Sequence, residues 1–250
     1  MPEKYRQCPK CGHTPPQAMA ANSQCPACGV YLFKWQQAQA FEASDPGQPS
    51  SGLNWRDLAA ALLEPLERLD PVFFYGRGLV LILLAVWSWR LVGYDYSDGE
   101  IGESFMHNIL LPIHEAGHIF FIPFGEFMTI LGGSLFQVGL PFGIAVAFVV
   151  ANRDNFGAAI GLWWSGASVI DLSPYIYDSL HPQIIMLGGH TGEDGPHDWI
   201  YLLNTFGQLA NAQRWGSFAH VLGTGGVLAG LCWGGFVLWR QRRHLQAGLN

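Results

Sequence analysis

His114-Glu115-Ala116-Gly117-His118 places two imidazoles four residues apart, with a carboxylate beside the first. On an α-helix, residues i and i+4 share a face, so both rings can reach one metal ion. Zinc fits such a pair and lowers the pKa of a bound water to about 7. A neighbouring carboxylate can then take that water's proton, and Glu115 is in position to do so. The surrounding sequence is apolar. Ionisable side chains in such a setting are costly and usually functional. The expectation is a metal site with His114 and His118 as ligands and Glu115 as general base.

A second set of ligands lies near the start of the chain. Cys8-Pro-Lys-Cys11-Gly12 is followed by Cys25-Pro-Ala-Cys28-Gly29. A glycine after each pair permits the tight turn that aims both sulfurs at one ion. Paired thiols at this spacing argue for metal rather than disulfides. Residues 5–35 resemble a zinc ribbon, which implies a structural zinc held by Cys8, Cys11, Cys25 and Cys28. Four protein ligands leave no open position for substrate or water. His13 could compete as a ligand, but four thiolates already suffice. The fifth cysteine, Cys232, sits in an apolar run and is expected to be an inert packing residue.

The elements that must position these groups follow from a change in composition along the chain. Charged residues make up only 13% of the 250 residues, against about 25% for a soluble domain. Residues 1–76 are polar, while 78–240 are rich in Leu, Ile, Val, Phe, Trp and Gly. The fold class expected is an all-α polytopic membrane helix bundle of five or six crossings, preceded by a small β-type zinc ribbon. The domains are the ribbon at 1–36, a linker and amphipathic helix at 37–76, and a multi-pass membrane domain at 77–243. Within the second, 36–52 reads as linker and 53–69 has helical apolar spacing interrupted at Pro65. Four apolar stretches approach spanning length, at 78–94, 105–124, 131–150 and 218–239. A shorter fifth lies at 156–170, extendable through Asp171, and 199–210 is a weak sixth. Gly132-Gly133 and Gly139-Leu140-Pro141 read as interruptions of the helix that carries them. Close packing through these small residues is favoured over a broken, cavity-lining backbone.

Residues 1–10 are polar with no apolar segment after them, so a secretory leader is not expected. The net charge of −6 and the absence of a basic run argue against nucleic-acid binding. Arg56, Arg68 and Arg77 precede the first span, and Arg240, Arg242 and Arg243 follow the last. The positive-inside rule then puts both ends in the cytoplasm, which requires an even number of crossings. A bacterial inner membrane is the expected location.

At 105–174 the chain resembles the site-2 protease group of intramembrane zinc metalloproteases. In that group one membrane helix carries HExxH, a second follows, and a third supplies an aspartate as the last ligand. The resemblance implies Asp171 as third ligand, with the site toward the cytoplasmic side. Asp171 precedes Leu172, where the family usually has glycine. His197 is the runner-up ligand, and Asp198 reads first as a helix-capping or first-turn acid. His107 lies two helical turns before His114 and is assigned to the membrane interface. The function implied is zinc-dependent hydrolysis of peptide bonds in membrane-protein substrates. The alternative is a non-catalytic metal-binding membrane protein whose ribbon binds a partner protein.

Overall fold

The computed structural model describes residues 4–20, 23–32, 62, 71–97 and 100–247. The expected linker and almost all of the amphipathic stretch at 53–69 lie outside the described residues. The chain forms two compact units, Met1–Asn54 and Trp55–Asn250.

In the first unit, strand β1 (Lys4–Tyr5) pairs antiparallel with β2 (Met19–Ala20), with Tyr5 opposite Met19. Each Cys-x-x-Cys-Gly run closes the same turn. The Gly12 N–H donates to the Cys8 carbonyl and the Gly29 N–H to the Cys25 carbonyl, both at 2.9 Å. These glycines take φ of 72° and 71°, a left-handed conformation that other residues adopt only with strain. Cys8, Met19, Cys25 and Leu32 form the small core.

The second unit is a helix bundle. Its described helices are α1 (Pro71–Gly93), α2 (Phe105–Phe121), α3 (Glu126–Ala147), α4 (Asn155–Asp178), α5 (Asp198–Thr205) and α6 (Ala212–Ala247). Helix α1 exposes a run of apolar side chains, including Phe73, Leu79, Ile82, Leu83 and Val86. An apolar helix left this bare suits a hydrocarbon surround. Helix α4 is the opposite, buried along most of its length. It extends well past the expected 156–170. Gly166, Gly223 and Gly230 let α4 and α6 meet backbone to backbone, and a Cβ at Gly166 would lie 2.5 Å from the Val227 nitrogen. Such small-residue contacts are how helices pack where lipid removes the hydrophobic drive.

Among the described residues, three helices are long and apolar enough to cross a membrane: Pro71–Gly93, Glu126–Asn152 and Leu209–Arg243. The second is α3 with the π-helical turn Phe148–Asn152 that ends it. Helix α3 is continuous through Gly132, Gly133 and Pro141, so the expected interruptions are absent. The glycines do serve close packing, as described below. Cys232 is exposed on α6 rather than packed inside.

Contacts fix the helix directions. Arg77 pairs with Asp154 at 2.9 Å, and Ser88 accepts from the Trp163 indole at 2.7 Å, so α1 runs parallel to α4. Helices α3 and α4 run antiparallel, since Gln137 meets Asp171 while Ala145 packs on Gly161. Helix α2 is antiparallel to α3, with His114 on Gln137 and His118 on Thr129. Helix α6 is antiparallel to α4, with Gly230 on Trp163 and Gly216 on Tyr177. Thus α1, α2 and α4 share one direction, and α3 and α6 the other. The ring of Phe105, the first residue of α2, stacks on Trp87 at 5.9 Å, so α2 starts beside the later part of α1 rather than beyond its end.

Candidate metal centres

The four cysteine sulfurs lie within 4.8 Å of one another. Cys8 Sγ is 3.8 Å from Cys28 Sγ, and Cys11 Sγ is 3.8 Å from Cys25 Sγ. A tetrahedron with Zn–S arms of about 2.3 Å has edges of about 3.8 Å. The group therefore has the dimensions of a four-thiolate metal site. Burial works against the Cys8 thiolate, but the N–H groups of Cys11 and Lys10 and the adjoining thiols outweigh it and lower the thiol to about 6. His13 is not part of the group; its carbonyl accepts from the Cys8 N–H at 2.8 Å.

The second group is His114, His118 and Asp198. Asp198 Oδ2 lies 3.0 Å from His114 Nε2 and 3.2 Å from His118 Nε2. Each imidazole is held from behind. His114 Nδ1 meets Gln137 Oε1 at 2.8 Å, and His118 Nδ1 meets the Thr129 carbonyl at 2.8 Å. An oxygen acceptor at Nδ1 requires the ring to carry its proton there, which leaves a lone pair on Nε2. Two lone pairs and a carboxylate oxygen then converge. Only a proton or a cation between them relieves the repulsion, so the donor set fits a metal ion. His114 is nearly enclosed, whereas the His118 and Asp198 side chains retain 22% and 17% exposure, so the group is open on one side. Glu115 is exposed on α2.

Glycines bring the helices close enough for this geometry. Gly117, inside the HEAGH run, lies against the Gly132 carbonyl, and a Cβ there would also come within 2.7 Å of Phe136 Cβ. Gly133 faces the imidazoles themselves: a Cβ would sit 2.5 Å from His118 Nε2 and 2.6 Å from His114 Nε2. Asp198 is delivered by α5. Its N–H donates to the Tyr175 hydroxyl at 3.0 Å, and the next residue, Trp199, donates from Nε1 to Ser134 Oγ at 3.2 Å.

Two expected ligands lie elsewhere. Asp171 is buried behind the site, where Oδ2 accepts from Gln137 Nε2 at 2.9 Å and Oδ1 faces His107 Nδ1 at 3.1 Å. It touches the metal group only through Gln137. His107, assigned to the interface, is the far end of this chain of contacts. His197 caps α5, its Nδ1 accepting from the Ile200 N–H at 3.3 Å, and its ring stacks on Tyr175 at 4.3 Å. Its Nε2 points toward Asp178, 3.9 Å away. The acid that joins the pair is Asp198, whose position in the first turn of α5 gave it an ordinary explanation in sequence. Gln137 had no sequence signal at all.

No family model matches the chain, and no curated protein or solved structure matches it either. What fold and site define is a largely helical protein with, among the described residues, three helices long and apolar enough to cross a membrane. Its described residues include two side-chain groups that could each hold a metal ion, one of four cysteines and one of two histidines and an aspartate.

Proposed function

We propose that the chain is a membrane-embedded zinc metallopeptidase, similar in chemistry to site-2 proteases, that cleaves membrane-protein segments. The observation that carries this reading is the convergence of His114 Nε2 and His118 Nε2 on one oxygen of Asp198, with Glu115 beside them in an HExxH helix. Three protein ligands with one side open is the arrangement of a catalytic rather than a structural zinc. Zinc held there would acidify a water and polarise the scissile carbonyl. Glu115 takes the proton from the attacking water and returns it to the departing amine. The Nδ1 contacts of both histidines hold the rings in the ligating orientation throughout. The four cysteines hold a second, structural zinc.

The helix directions support a topology with both ends of the membrane domain on the cytoplasmic side. The start of α1, the end of α3 and the end of α6 lie together, bringing Arg77, Arg153, Arg240, Arg242 and Arg243 to one end of the bundle. Because α1 and α2 run the same way, they serve as one stepped crossing. The count becomes four, and the even number required by the arginines is met. Asp171 lies 17 residues beyond Asp154 on α4, about 26 Å along the axis, most of the roughly 30 Å hydrocarbon core. The His114–His118–Asp198 group therefore belongs near the face of the membrane opposite the arginines. This departs from the cytoplasmic placement that the resemblance implied.

The test uses the full chain purified in detergent, with zinc analysis and cleavage of β-casein as an unselective substrate. The parent should carry two zinc ions and cleave casein. Glu115→Gln should keep both ions and lose cleavage by at least about 100-fold, since an amide cannot accept the water's proton. Asp198→Ala should lose one ion and activity, whereas Asp171→Ala should leave Asp198 in place as a ligand. A Glu115→Gln protein that cleaves as well as the parent would end the peptidase reading and favour the binding-protein alternative.

A further inference from the structure

Asp171 touches no reacting group in the proposed hydrolysis, and Gln137 serves it only by holding the His114 ring, yet both are buried, at 6% and 2% exposure, among the helices. A carboxylate and an amide in such a place are costly unless their hydrogen bonds are made. Here the bonds form a directed chain. Gln137 Nε2 donates to Asp171 Oδ2 at 2.9 Å, and Gln137 Oε1 faces His114 Nδ1 at 2.8 Å. At the outer end, His107 Nδ1 lies 3.1 and 3.3 Å from the two Asp171 oxygens.

The direction is set by chemistry. A carboxylate offers only acceptors, so the amide NH2 of Gln137 has to face Asp171. The amide is planar, with nitrogen and oxygen on opposite sides, so its oxygen has to face His114. An oxygen at Nδ1 is satisfied only by an N–H. The ring proton of His114 is therefore placed on Nδ1, and the lone pair on Nε2 is left to point at Asp198 and His118. If Gln137 were turned over, its NH2 would meet Nδ1, the proton would move to Nε2, and the ring could no longer bind a metal.

We infer that Asp171, acting through Gln137, is a positioning residue that locks His114 in its metal-binding tautomer. The inference rests on the metal reading of the His114–His118–Asp198 group and not on the hydrolysis. Asp171 thus belongs to the site through a relay and not as a ligand. An asparagine in its place would preserve shape but could present its own NH2 to Gln137 and let the amide turn over.

The experiment measures binding of the second equivalent of Zn²⁺ to the full chain in detergent, alongside the ¹⁵N spectrum of the histidine side chains in metal-free protein. Helical circular dichroism and the unfolding temperature of the full chain in detergent serve as the folding control for the helix bundle, charge-transfer absorption of Co²⁺ reports the cysteine group, and both should be unchanged in every variant. Asp171→Asn should weaken the second Zn²⁺ by about 10–100-fold and move the His114 proton from Nδ1 toward Nε2. The double variant Asp171→Asn/Gln137→Glu restores the bond directions. Its introduced carboxylate would accept from both the His114 Nδ1–H and the NH2 of the introduced amide, while that amide's oxygen still faces His107. It should recover both the affinity and the Nδ1–H signal. If Asp171→Asn keeps the parent's affinity and tautomer, or the double variant leaves the proton on Nε2, the relay is overturned. His114→Ala separates the two claims. If it still binds two zinc ions, the metal reading itself fails. If it binds one while Asp171→Asn binds two as tightly as the parent, only the relay fails.

Discussion

Gly133 sits where α3 passes both metal-facing nitrogens, and its lack of a side chain is what leaves room for them. A methyl group there would come to 2.5 Å from His118 Nε2 and 2.6 Å from His114 Nε2, far inside van der Waals contact. Gly133→Ala should therefore displace a ring and empty this group, while the cysteine group keeps its ion. Zinc analysis should give one ion per chain where the parent gives two; two ions in the variant would show that the rings tolerate the methyl. Alanine is otherwise the better helix former by about 1 kcal/mol, so the loss would come from the site and not from the helix. Sequence reading found His114, His118 and Glu115 because helical spacing alone puts them together. Asp198, 84 positions from His114, reads in sequence first as a capping or first-turn acid, because an aspartate there already has a local explanation.

Helix α4 carries the bundle, and its contact with α6 depends on glycines at the crossing. A Cβ at Gly166 would lie 2.5 Å from the Val227 nitrogen and 2.8 Å from the Gly223 oxygen. Those are backbone atoms that cannot swing aside. Gly166→Val should force α4 and α6 apart and cost about 1–3 kcal/mol, read as a lower unfolding temperature of the full chain in detergent. Unfolding at the parent's temperature would mean that the two helices slide past the added bulk. The apolar stretch at 131–150 was legible in sequence, but its continuity was not. Gly132, Gly133 and Pro141 are breakers by local propensity, and packing of α3 against α2 and α4 overrides that propensity. The buried extent of α4 was likewise hidden. Its serines and Asp171 lower its hydropathy, and only the surrounding helices supply partners, as when Ser165 donates to the Val138 carbonyl at 3.1 Å.

For the whole molecule, the proposed topology predicts which surfaces water reaches from each side. The segment between α4 and α5 carries Glu193 and Asp194, both exposed, and lies on the His114–His118–Asp198 end of the bundle. A cysteine placed at Glu193 should react with a membrane-impermeant maleimide added to intact cells, while one at Arg242 should react only after the cells are opened. The reverse pattern would invert the orientation and return the site to the cytoplasmic side. What the sequence determined by itself was local. Two Cys-x-x-Cys-Gly turns and one HExxH helix each bring their ligands together within a few residues, and the apolar runs at 78–94, 131–150 and 218–239 announce the three membrane-length helices, whereas 105–124 forms α2, which is not one of them. What only the tertiary structure decided was non-local. It placed Asp198 at the imidazole pair, Asp171 behind Gln137, and α1 and α2 in one direction. Each of these depends on contacts between elements far apart in the chain, and no periodicity of a single segment encodes them.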